Sequence, residues 1–187
     1  VIFVTVGAQM PFDRLVRAVD DWASADAAPS VVAQIGTTSF VPKHMTWTTF
    51  MDPAEYRRAI VRADLIVAHA GMGTIITALE MSRPLLMMPR RFDHHETRND
   101  HQTATAVRFA TRPGLTVAHD VDMLIEHLEH WPSLVAGPRA QSHASYDLLD
   151  TVRHFIDGGV SSVLSPASLP FMMPTDDHDS RSQRRAA

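Results

Sequence analysis

The chain has no cysteine. Disulfides and thiolate metal sites are therefore excluded. It has no apolar run near the roughly 20 residues that a bilayer-spanning helix needs. Val1 to Val6 is too short for the apolar core of a secretory signal and leads straight into Gly7. These two absences give the expectation of a cytoplasmic protein. A basic excess is missing too. Seventeen Lys and Arg stand against 21 Asp and Glu, for a net charge of -4. A nucleic-acid binder would usually carry a basic patch, so none is expected as a partner. The 187 residues are 45% hydrophobic and 20% charged, enough for one domain with a real core.

Apolar runs alternate with amphipathic ones. Val1–Val6, Val31–Ile35, Thr46–Phe50, Leu65–Ala68, Leu85–Met88 and Leu115–Val117 read as strands, several of them closed by Gly or Pro. Phe12, Leu15, Val16, Val19 and Trp22 recur at helical spacing, which predicts a helix over residues 11–24. Asp52-Pro53 and Asp120 are helix-start signals. Further helices are expected over Asn99 to Ala110 and over residues 142–157. Strict alternation implies an α/β fold, a Rossmann-like, doubly wound parallel sheet. The expected domain covers residues 1–158. Residues 159–187 have no period and read as a disordered tail, with Leu169–Pro174 as its one apolar stretch.

The most telling segment is His69-Ala70-Gly71-Met72-Gly73-Thr74, between the fourth strand and a helix. A helix starting there points free N–H groups and its positive dipole end at the turn. Gly71 and Gly73 allow close approach of an anion, usually phosphate. A simple strand-to-helix corner is the plainer alternative. Two more loops lie at the carboxyl ends of strands, where open α/β sheets bind ligands. They are Gly7–Pro11 and Pro89–Gln102.

Phe50, Ala63-Asp64, His69-Ala70-Gly71, Thr74, Pro84, Pro89 and Asp100-His101-Gln102 follow the order and spacing of a known family. Together they resemble the carboxyl-terminal, donor-binding domain of glycosyltransferase family 28. The segments Val4-Thr5-Val6-Gly7 and Phe12-Asp13-Arg14-Leu15-Val16 are similar to the start of its two-subunit members, above all the bacterial exopolysaccharide subunits. The resemblance covers residues 1–155. It implies one half of a GT-B glycosyltransferase, with the acceptor half on a membrane-associated partner subunit. It further implies an inverting UDP-sugar transferase acting on a lipid-linked acceptor in exopolysaccharide biosynthesis. The protein would then be peripheral to the inner face of the plasma membrane through that partner. Glucuronic acid is the first choice of sugar, with glucose and N-acetylglucosamine behind it.

The resemblance also implies roles for individual residues. Gly71, Met72, Gly73 and Thr74 would hold the pyrophosphate. Phe50 and Met51 would hold the uracil, unless they are ordinary core residues at a strand end. Gly7 and Gln9 belong to the glycine loop facing the cleft, and His69 borders the donor or simply packs. The family's ribose-binding glutamate falls on Thr77 here, with Glu80 one turn on; both are candidates. Asp100 and Gln102 would read the sugar, beside Glu96, Arg98 and Asn99. Arg98 could pair with phosphate or with a uronic carboxylate. No cofactor or metal is expected. His94, His95 and His101 lack metal-site spacing, although a histidine-loop metallohydrolase stays an alternative, as does a non-catalytic nucleotide-sugar sensor or scaffold. No general base is apparent in this chain, and the partner is expected to supply it.

Overall fold

The structure is a computed structural model that describes residues 1–141 and 146–158. The expected tail, residues 159–187, lies outside the described residues, as do positions 142–145 of the expected last helix. Residues 1–142 fall in one compact unit. It contains six parallel strands: β1 (Ile2–Thr5), β2 (Val31–Gln34), β3 (Thr46–Thr48), β4 (Leu65–His69), β5 (Leu85–Met88) and β6 (Leu115–Val117). Their order is β3-β2-β1-β4-β5-β6. Five helices belong to this unit: α1 (Asp13–Trp22), α2 (Pro53–Arg62), α3 (Met72–Glu80), α4 (His101–Phe109) and α5 (Val121–Glu129). A short 3-10 turn, Trp131–Ser133, follows α5. The second unit contributes α6 (Tyr146–Gly158).

Strand alternation divides the core into two layers. Ile2, Val4 and Val6 face α1 and α5 and pack with Leu15, Val19 and Leu124. Phe3, Ile66 and Ala68 face the other way and pack with Ile60 of α2, Ile75 of α3 and Ala106 of α4. All four β1 residues are buried, as a central parallel strand covered on both faces requires.

Local chemistry sets the helix ends. Asp52 caps α2 in a full capping box: its Oδ1 accepts from Ala54 N and Glu55 N, both at 2.8 Å, and Glu55 Oε2 accepts from Asp52 N at 3.0 Å. Asp120 Oδ1 accepts from Met123 N at 2.8 Å and starts α5. Two starts differ from expectation. The first helix begins at Asp13, because Phe12 is the N-cap with φ −138°, ψ 57°, outside the helical region. The helix expected from Asn99 begins at His101, because Asn99 folds its Oδ1 onto His101 N (3.2 Å) and Asp100 stands as N-cap.

Candidate functional site

The sheet reverses its direction of winding between β1 and β4. At such a switch point the loops that leave the two strands diverge and open a crevice. The crevice is present, with a volume of about 600 Å³. Of the expected residues, Gly7, Gln9, His69, Gly71, Met72, Gly73, Thr74, Thr77, Glu96 and Gln102 line it.

Its floor is the amino end of α3. Gly71 is the N-cap and has no side chain to satisfy the first turn. Ile75 N is the first amide to close onto Gly71 O, at 3.1 Å. The amides of Met72, Gly73 and Thr74 precede that bond, so they have no intrahelical acceptor. The face at Gly73 is open, with no atom within 4 Å of where its Cβ would stand. Thr74 is turned inward: its hydroxyl meets Tyr56 Oη at 3.2 Å. Tyr56 is itself held edge-on to Phe3, at 5.5 Å between ring centroids.

His69 ends β4 beneath this corner. Burial, with the Arg90 charge nearby, lowers its pKa to about 4, and the Thr5 backbone only partly offsets this. The ring is neutral at pH 7. An imidazolium therefore adds nothing to the positive potential of the corner, which the helix end and the nearby Arg90 cation supply.

One side chain ties the loops together. Arg90 is 3% exposed. Its guanidinium donates to the carbonyls of Val6 (2.7 Å), Met10 (2.6 Å), Glu96 (3.2 Å) and Pro11, and stacks on Phe12 with Cζ 4.8 Å from the ring centroid. Burial pulls its pKa down to about 10, against the opposing pull of Glu96, so the cation persists at neutral pH. Glu96 in turn receives two bonds of 2.8 Å from Arg14 and one of 3.0 Å from Arg91 N. Gln102 Oε1 accepts from Arg90 N at 3.1 Å, which leaves its NH₂ group as a donor.

Residues 1–131 match the model of the glycosyltransferase family 28 C-terminal domain. The chain belongs to that family. The human UDP-N-acetylglucosamine transferase subunit ALG13 is 30% identical over 115 residues; the match takes in 56% of this chain and 10% of the human protein. The chain thus spans a tenth of that relative's length. Among solved structures, ALG13 determined by NMR superposes with a TM-score of 0.52 at 16% identity, over 86% of this chain and 96% of that one. MurG of Acinetobacter baumannii superposes with a TM-score of 0.51 at 19% identity, over 70% of this chain and 40% of that one. The fold is Rossmann-like, one half of a GT-B architecture.

Several expected donor residues of this family 28 domain stand away from the cleft. Phe50 and Met51 line a separate hollow of about 390 Å³ with Phe3, Val32 and Arg58. Phe50 is 64% exposed, so it is not a core residue. Asp100 lines a third hollow with Phe92 and His119. Glu80, Arg98 and Asn99 are not among the residues lining the cleft. Among the described residues, no three His, Asp or Glu side chains gather to hold a metal. Arg90, Gln34, Tyr56 and Arg14 were not among the site residues expected from the sequence. The available signal was position: Gln34 closes β2 and Arg90 stands two residues beyond β5, so both sit at carboxyl ends of strands.

Proposed function

We propose that this chain is the donor-binding subunit of an inverting, UDP-sugar-dependent glycosyltransferase. The observation that carries the reading is the uncapped amino end of α3 at the switch-point crevice, with Gly73 open to the cleft. Three free amides and the helix dipole suit a pyrophosphate and stabilise it as it departs.

A partner subunit carries the acceptor half and the general base. Two features support this. Among the described residues, the one carboxylate lining the cleft, Glu96, is committed to Arg14. The cleft imidazole, His69, has a pKa too low to take a proton effectively near neutral pH. The family's two-subunit members and the ALG13 relative support the same division. The acceptor is a lipid-linked sugar at the membrane, in exopolysaccharide assembly, on the strength of the family resemblance. Glucuronic acid is the first candidate sugar. The human relative's name adds weight to N-acetylglucosamine.

Calorimetry of the whole chain against UDP and UDP-sugars, with wild type beside Gly73→Asp, tests the reading. Asp fits the open space and suits the first turn of a helix, so the variant should fold. Its carboxylate should repel the pyrophosphate and weaken UDP at least about ten-fold. A folded variant that binds UDP like wild type overturns the proposal.

A further inference from the structure

Arg14 lies in the first turn of α1, outside the lining of the cleft. Its side chain is 17% exposed, and each of its three nitrogens donates. Nε and Nη2 form a fork on the Glu96 carboxylate, at 2.8 Å each, and Nη1 reaches Met88 Sδ at 3.3 Å. Such a fork fixes the guanidinium plane as well as its place. So fixed, Nη2 also donates to Pro89 O at 3.2 Å.

That last bond grips one side of a peptide group. Pro89 O and Arg90 N belong to the same planar unit, and in a trans peptide C=O and N–H point opposite ways. On the far side Arg90 N donates to Gln102 Oε1 at 3.1 Å. An N–H can be met only by the oxygen of a side-chain amide, so this bond sets which way Gln102 is turned. The Gln102 NH₂ is left as a donor in a residue that lines the cleft. A cation on the carbonyl also polarises the peptide and strengthens its N–H as a donor. One line of bonds thus runs from Arg14 on α1, through the 89–90 peptide, to Gln102 in the first turn of α4.

We infer that Arg14 is a positioning residue for the donor sugar: it clamps the Pro89–Arg90 peptide so that Gln102 keeps its NH₂ turned to the cleft. The inference rests on the donor-binding reading above, with Gln102 as the group that meets the sugar. Arg14 lies outside the cleft lining, so its effect passes through the peptide and Gln102. Loss of the clamp should therefore be felt by the sugar and not by the nucleotide.

Calorimetry of the whole chain with UDP, UDP-glucuronic acid and UDP-N-acetylglucosamine tests this. The quantity read is the affinity for whichever sugar nucleotide binds wild type better, divided by that for UDP. Gln102→Ala should lower this ratio about five- to ten-fold, the worth of one hydrogen bond. Arg14→Met should lower it by a similar factor and leave UDP within two-fold of wild type. Arg14→Lys keeps the charge but not the fork, and should fall between Met and wild type. Loss of a cation acting only through the phosphates would weaken UDP at least as much as either sugar nucleotide, so it cannot imitate a lowered ratio. In a Gln102→Ala background, Arg14→Met should lower the ratio no further. An unchanged ratio in folded Arg14→Met overturns the inference, as do effects of Arg14→Met and Gln102→Ala that simply add. Should Arg14→Met not fold, an unchanged ratio in Arg14→Lys overturns it instead. If Gln102→Ala lowers the ratio and the Arg14 variants do not, only the Arg14 assignment falls. If Gln102→Ala leaves the ratio unchanged, or wild type binds UDP but neither sugar nucleotide, the sugar contact falls and the inference with it. If wild type binds no UDP, the donor-binding reading itself falls.

Discussion

The imidazole of His69 occupies the space that a side chain on Gly71 would need. A Cβ at Gly71 would lie 2.2 Å from His69 Nε2. Gly7 closes on the same ring from the β1 loop, where a Cβ would fall 2.8 Å from Cε1 and φ is +73°. Two glycines from two loops thus flank one side chain. Gly73 is different in kind, because its missing side chain leaves only open cleft.

This contrast predicts opposite outcomes for one substitution at neighbouring glycines. Gly71→Ala should destabilise the fold by about 1–3 kcal/mol, the usual cost of overpacking. Adding His69→Ala should recover part of that loss, since the clash is with the ring. Gly73→Ala should be neutral or more stable by up to about 1 kcal/mol, because alanine is the better helix former. Urea unfolding of the three variants beside wild type checks the set. Equal losses at both glycines would contradict the packing relationship.

Much of this architecture is written locally. The strands are short β-branched or leucine-rich runs, several of them closed by Gly or Pro, and all six were readable. The capping box at Asp52-Pro53-Ala54-Glu55 is a local signal too. The cleft was legible at His69–Thr74 because a glycine turn before a helix has a direct electrostatic meaning. Arg90 was not legible. In the sequence it is one more charge in a loop containing His94 and His95, and only the fold brings carbonyls from Val6, Met10 and Pro11 around it. Gln34 was hidden similarly, as a strand-end residue whose partner, Met51 N, lies 17 positions on.

His69 should make stability depend on pH. Its folded pKa, about 4, lies below the ordinary value of 6.5. Between those values the unfolded chain binds more protons than the folded one, so stability falls as pH drops through the window. The contribution is complete above about pH 6.5 and lost by about pH 4, and amounts to roughly 3 kcal/mol. His69→Asn, which is smaller and does not titrate, should flatten this part of the profile. Unfolding free energies from pH 7 to pH 4, compared between the two proteins, provide the check. Parallel profiles would mean that His69 is not the titrating group.

Arg90 should be the most sensitive side chain of the cleft. Arg90→Met strips the cation from four carbonyls at once and should destabilise by about 3–5 kcal/mol, the range for breaking a buried charged network. Arg90→Lys keeps the charge with fewer donors and should lose less. Removing the cation should also raise the His69 pKa, though not to 6.5, because burial is the larger cause of its depression. An NMR titration of His69 in Arg90→Lys and Arg90→Met separates the two effects. An unshifted His69 in folded Arg90→Met would show that the charge does not reach the ring.

Under the donor-binding reading proposed above, helix geometry favours Thr77 over Glu80 as the ribose contact. Glu80 is seven residues beyond Gly73, about 10 Å along the axis at 1.5 Å per residue. Its carbonyl takes a bond of 2.8 Å from Arg139 Nε, and the residue does not line the cleft. Thr77 does line it. The Thr77 hydroxyl donates to Gly73 O at 2.8 Å, and its oxygen stays able to accept a ribose O–H. Thr77→Val should therefore weaken UDP about three- to ten-fold, the worth of one hydrogen bond. Glu80→Gln should leave UDP within two-fold of wild type. The Thr77 effect should shrink with 2′-deoxy-UDP, which lacks one hydroxyl for it to meet. If calorimetry instead finds the larger loss in Glu80→Gln, the ribose lies further down α3 than this geometry allows.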